Sequence, residues 1–223
     1  MFIKADIHSY IKEIESNTID CIYTNPPFGV TENEWDKPLD WDSLWVDIWR
    51  ILKPNGVAII HASMPFSYKL IKSQTPKYHY IWIKDKPTNF FHAKKQPLRQ
   101  QEEIYIFYKK SPTYNPQMIG TKKYFTGKAG KSNYYGSRTK KEVKKEFHIG
   151  KYPNNILKFK RCVRDGKTIP DEMISFFIKT YTNEGDLILD MTCNNDVVFN
   201  VIDKLDRNYI GVDINLDDDL LID

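Results

Sequence analysis

Apolar and polar residues alternate along this chain with two periods, that of a helix and that of a strand. Residues 2–5 read as a short strand, after which Ile7, Ile11 and Ile14 fall on one helical face. Residues 19–23 form a second, buried strand. A tryptophan-rich segment, 35–49, follows, with Leu44, Trp45, Ile48 and Trp49 on one helical stripe; its tryptophans are expected in the core. Residues 52–56 contain Pro54, Asn55 and Gly56, which predict a break before a strand over 57–61. Residues 78–83 and 103–108 alternate aromatic and aliphatic positions as strands do. The polar, basic stretch between them, with Lys94, Lys95 and Arg99, reads as a loop. Residues 110–150 are poor in aliphatics and read as a long insertion, flexible or partly ordered. The rhythm then resumes with a helix over 170–181, a strand over 186–190, a helix over 197–205 and a strand over 209–213. Helix followed by buried strand, repeated, predicts the α/β class with a mostly parallel sheet.

The 223 residues suit one domain, 1–223, with a substantial core and an insertion. Cys21, Cys162 and Cys193 are odd in number and widely spaced, so neither a disulfide framework nor a metal pair is available. That usage points to a reducing, cytoplasmic compartment. No apolar run approaches the roughly 20 residues of a membrane span, and the amino terminus lacks a signal-peptide core. His8, His61, His79, His92 and His148 show no metal-ligand spacing and read as surface or satisfied core residues, so no metal site is expected.

Charge changes the picture more than composition does. Residues 84–164 hold 21 Lys and Arg against 5 Asp and Glu, whereas the remainder holds 12 against 24. A basic block that interleaves aromatics with cations favours a nucleic-acid surface over a merely solvated face, although Lys140, Lys141, Lys144 and Lys145 also fit one helix surface.

The sharpest local signal is Thr24-Asn25-Pro26-Pro27-Phe28-Gly29 at the end of the second strand. Two prolines fix φ and remove amide donors, and Pro26 forces Asn25 toward an extended backbone. In open α/β sheets ligands bind at the carboxyl ends of strands. An amide, a proline carbonyl and an aromatic ring can together hold a flat amine-bearing ring. The six residues alone are equally compatible with an ordinary loop whose Phe28 is tucked into the core.

Taken with Ala5-Asp6, residues 52–56, 93–99 and 179–190, and Tyr209-Ile210-Gly211-Val212-Asp213, in that order, the chain resembles the DNA amino-methyltransferases of the β arrangement. The resemblance implies a Rossmann-like methyltransferase sheet with helices on both faces and a basic target-recognition insertion over 84–164. It implies site-specific DNA methylation, in the setting of restriction–modification, on the exocyclic amine of adenine (N6) or cytosine (N4), with Asn25 leaning toward adenine. S-adenosylmethionine is the implied donor and double-stranded DNA the implied partner. Carried over by position, Asn25 and the Pro26 carbonyl accept from the target amine, Pro27 stiffens the corner, and Phe28 stacks on the swung-out base. Asp6 meets the cofactor's adenine amine and Asp213 its ribose hydroxyls. Asp190, with Thr192 and Asn194 on the loop after it, meets the methionine end. Lys94, Lys95 and Arg99 face DNA. A homodimer or a methyltransferase partner subunit is the implied assembly.

Two positions depart from the family pattern. Asn194-Asn195-Asp196 stands where a Gly-Ser-Gly type of turn is expected, and only Pro170 of the segment 165–170 matches its counterpart. An alternative reading is therefore a degenerate methyltransferase that binds DNA or a partner without catalysis.

Overall fold

A computed structural model describes residues 1–125, 147–161 and 169–221. The lysines at 140, 141, 144 and 145, Cys162 and most of the segment 165–170 lie outside the described residues. The chain divides into two compact units, residues 1–115 with 155–223, and residues 116–154. Of the basic stretch 84–164, the part up to 115 and the part from 155 lie in the first unit.

The first unit is built on an eight-stranded sheet. Its strands are β1 (Phe2–Lys4), β2 (Ile19–Thr24), β3 (Leu52–Ala62), β4 (Tyr78–Thr88), β5 (Arg99–Phe107), β8 (Ile156–Leu157), β9 (Leu187–Asp190) and β10 (Asn208–Asp213), in the order β1-β10-β9-β2-β3-β5-β4-β8. The neighbours from β1 to β3 pair in parallel; β5 is antiparallel to both β3 and β4.

Because β2 and β3 are buried on both faces, they read as apolar runs rather than as alternation. Cys21, Tyr23, Val57 and Ile59 face one layer, built from α4 (Asp171–Tyr181) and α5 (Val197–Asp203). Ile22, Ala58, Ile60 and Ala62 face the other, built from α1 (Ile7–Tyr10), α2 (Trp41–Ile51) and α3 (Phe66–Ser73). Helix α4 shows how the sequence specifies this. Met173, Ile174, Phe177, Ile178 and Tyr181 recur at helical spacing and are all buried, while Asp171 and Glu172 complement the positive end of the dipole. The doubly wound α/β class is as expected.

Several local expectations change. The helix in 35–49 starts only at Trp41, capped by Asp40, and Trp35 is exposed rather than core. Residues 52–56 end helix α2 at Ile51 as expected, but as strand rather than turn: β3 begins at Leu52, opposite Ile19, and shifts register before Val57. Pro54 and Asn55 are exposed there, and Lys53 is held by an ion pair with Asp20 at 2.7 Å. Proline is tolerated at such an irregularity because no ladder amide is lost. Arg99 belongs to β5 rather than to the preceding loop. In the second unit, β6 (Ile119–Phe125) and β7 (Phe147–Lys151) form an antiparallel pair. No described helix is long and apolar enough to cross a membrane.

Candidate active site

Parallel pairing brings the carboxyl ends of β1, β10, β9 and β2 to one edge of the sheet. Asp6, Asp213, the loop 190–194 and the corner 24–28 therefore share that edge. The corner and the loop are tied directly, since the hydroxyls of Thr24 and Thr192 lie 2.8 Å apart and share a hydrogen bond. Pro26 is buried and Asn25 and Pro27 half-buried. Among the described residues no hydrogen bond engages the Asn25 side chain, so its amide is available to a ligand.

The chain beyond the prolines is organised by Asp36, which sequence reasoning missed. Its carboxylate accepts from the amides of Gly29, Val30 and Thr31 at 2.7–2.8 Å and from the Thr31 hydroxyl at 2.8 Å. Burial works to raise its pKa, but these four donors outweigh that and hold it below the usual carboxylate range. Gly29 adopts φ +65°, and a Cβ there would stand 2.3 Å from Pro38 Cγ, so no other residue fits. Phe28 is half-buried and stacked on buried Phe66, with centroids 5.3 Å apart and planes 13° off parallel. One of its faces is thus committed to the protein.

On the other side of the edge, Asp190 is fully buried. Burial pushes its carboxyl up to about 7, against the opposing Thr192 amide and Thr24 hydroxyl, with Asp213 adding to the rise. Asp213 is half-buried and accepts from the amides of Asn194 (3.1 Å) and Asn215 (2.8 Å). Asn194 sits at φ 53°, the left-handed conformation a glycine would otherwise supply, and its side chain is exposed. Asp6 is exposed and caps α1 by accepting from the His8 amide at 2.9 Å. Lys94 and Lys95 are exposed beyond the end of β4, and Arg99 is half-buried beside a groove of about 560 Å³ lined by Gln96, Pro97, Leu98 and Gln101.

A buried polar row completes the edge. The Tyr23 hydroxyl lies 3.0 Å from His61 Nε2, and His61 Nδ1 lies 3.0 Å from Glu102 Oε1. Lys84 Nζ meets Glu102 Oε2 at 2.9 Å. His61 is thus hydrogen-bonded at both ring nitrogens, to Tyr23 and to Glu102, as the core alternative for this histidine required. Asp190 continues the row, since it follows Leu189, the partner of Ile22, and so stands level with Tyr23. Burial favours protonated Glu102, but the hydrogen bond from His61, its charge and that of Lys84 hold the carboxyl below its usual value. The available signal was the single polar residue, His61, in the otherwise apolar run 57–62.

A family model described as DNA methylase (N6_N4_Mtase) matches residues 19–217. The chain belongs to this family. It is 26% identical to the Type II methyltransferase M.HpaI of Haemophilus parainfluenzae, over 92% of this chain and 67% of that protein. It is 24% identical to the DNA adenine methyltransferase YhdJ of Escherichia coli, over 96% and 78%. Among solved structures, the PvuII DNA methyltransferase (cytosine-N4-specific) aligns with a TM-score of 0.66 at 14% identity, covering 96% of this chain and 81% of that one. The M1.HpyAVI–SAM complex aligns at 0.60 and 17% identity, covering 96% and 92%. At such identities the structural likeness establishes the fold. The Pro-Pro corner and the loop after β9 lie at the carboxyl edge of this sheet.

Proposed function

We propose that this DNA methylase transfers a methyl group from S-adenosylmethionine to the exocyclic amine of a base swung out of double-stranded DNA, adenine N6 in particular. The observation that carries the reading is the 2.8 Å tie between Thr24 and Thr192, which fixes the amine-holding corner beside the acidic loop.

The residues present suit the cofactor. A buried carboxyl displaced to about 7 seeks a cationic or donor partner, as the ammonium of a methionine moiety is, and Asp213 and Asp6 offer acceptors for hydroxyl and amine donors. When bound, the cofactor supplies an electrophilic sulfonium methyl. Asn25 Oδ1 and the Pro26 carbonyl accept the two N–H bonds of the amine and so orient its lone pair, a matter of positioning. No described hydrogen bond has to be broken to free the Asn25 amide, and Pro26 is buried with its φ fixed by the ring. Phe28, backed by Phe66, offers its free face to the base. With the cofactor bound, the amine nitrogen would form its bond to the methyl as the methyl–sulfur bond breaks, the sulfur leaving as a neutral thioether, and the nitrogen would release one proton to solvent. Residues 84–164 serve target recognition in this reading, with Lys94, Lys95 and Arg99 at phosphates. Asn25 and the adenine-specific relative support N6 over N4.

The test is to incubate the protein with mixed-sequence duplex DNA and cofactor carrying a labelled methyl group, then digest and separate the nucleosides. The expected product is labelled N6-methyladenine. Labelled N4-methylcytosine would overturn the choice of base, and no label at saturating cofactor would overturn the enzyme reading in favour of a non-catalytic DNA-binding role.

A further inference from the structure

The β4–β5 hairpin is longer than the sheet it belongs to. Strand β3 ends at Ala62, opposite Glu103, whereas β5 starts at Arg99, opposite Thr88 at the end of β4. The hairpin thus runs four residues past the end of β3, about 13 Å at roughly 3.3 Å per residue. Strand β4 points the same way as β3, so this arm leaves the sheet at the edge that carries Asn25. Its strands β5 and β4 stand two and three strand spacings from β2, about 9 and 14 Å.

At its tip are two aromatic rings without cover. Phe91 is fully exposed, at 103%, and Phe90 is 62% exposed. The tip has a defined backbone. Asn89 at φ 71° opens a 3-10 turn over Phe90–His92, closed by Ala93 N to Phe90 O at 3.1 Å, Lys95 N to His92 O at 2.8 Å and Gln96 N to His92 O at 3.0 Å. The turn therefore presents Phe91 without a large ordering cost on contact. Around it stand Lys86, Lys94 and Lys95, all exposed, and Arg99 at the foot; among the described residues none of the four is in an ion pair. An apolar tip flanked along the hairpin by cations outside any described ion pair fits the interior of a polyanionic duplex, where an inserted side chain separates base steps while cations hold the phosphates.

We propose that Phe91 is a wedge that enters the DNA stack and fills the space the target base leaves when it swings toward Asn25. The proposal rests on the DNA-methylase reading above. Phe91 does not touch the reacting atoms; it shifts the equilibrium between stacked and extrahelical base.

The test compares binding of the full chain to an intact mixed-sequence duplex and to the same duplex with one abasic position, which presents the gap already open. For the wild type, affinity for the abasic duplex should exceed that for the intact duplex at least tenfold. Phe91→Ala should lose most of that preference while affinity for intact duplex and its salt dependence change less than twofold; Phe91→Trp should keep it. No preference in the wild type, or an undiminished one in Phe91→Ala, would overturn the wedge. Binding is read without catalysis, so methyl transfer measured in parallel separates the two ideas. Preference without transfer counts against the enzyme reading alone, and transfer without preference counts against the wedge alone.

Discussion

The buried carboxyl of Asp190 makes the stability of this protein fall as pH rises through the range in which most proteins are at their best. Its pKa lies at about 7 in the folded chain against 3.8 for an unperturbed aspartate. Between those values the folded state binds a proton that the unfolded state has released, so the stabilisation is present below about pH 4 and is lost progressively up to pH 7. At about 1.36 kcal/mol per unit, ionising Asp190 in place costs about 4 kcal/mol at pH 8 and less than about 2 kcal/mol at pH 5. Asp190→Asn removes the ionisation and keeps an oxygen that accepts from the Thr192 amide, 3.2 Å away in the wild type. The variant should therefore melt higher than the wild type at pH 8, by roughly 10 °C for a chain of this size, with well under half that gain at pH 5. It should at the same time bind S-adenosylmethionine more weakly, since the carboxylate is the group the cofactor's ammonium would meet. Thermal denaturation of both proteins at half-unit intervals from pH 5 to 8 provides the assay. Melting curves that run parallel across that range would show that Asp190 does not titrate there and would refute the reasoning.

Two further substitutions probe the supports of the edge. Glu102→Leu leaves Lys84 and His61 without their shared acceptor inside the sheet and should cost about 3–5 kcal/mol in denaturant unfolding. Because the Glu102 carboxyl is held below its usual value, the wild type's advantage should persist above about pH 4.3 and fade only as the medium becomes more acidic. Asp36→Ala strips three amides and one hydroxyl of their acceptor and should cost about 1–3 kcal/mol, with a larger proportional fall in methyl transfer than in cofactor affinity because the loop beyond Pro27 loses its anchor.

The parallel half of the fold is legible in the sequence because its strands are buried on both faces and end in conspicuous punctuation, Pro26-Pro27 after β2 and Asp213 as the last residue of β10. The acidic strand ends are legible for the same reason. Other features depend on contacts that no local pattern carries. The eight-residue helix α3 buries only Phe66, Ser67 and Leu70, too few positions to announce a period. The Leu52–Gly56 stretch looks like a turn, yet Ile19 and the Asp20–Lys53 pair draw it into the sheet. Asp36 lies seven residues beyond Gly29 in a polar stretch that resembles an ordinary loop, and its role exists only once three amides converge on it. His61 is ambiguous as a letter; its partners come from β2 and β5, 38 and 41 residues away. The arm was hidden because a polar, basic segment gives no strand alternation, although Thr88 and Arg99 pair across it.

In the proposed chemistry Asn25 holds an amine rather than supporting the fold. Single-turnover methyl transfer to duplex DNA by Asn25→Ala, with cofactor affinity measured calorimetrically on the same sample, tests this most directly. Transfer should fall roughly hundredfold or more while S-adenosylmethionine binds within twofold of the wild type. Transfer at the wild-type rate, with the corner's amide gone, would contradict it.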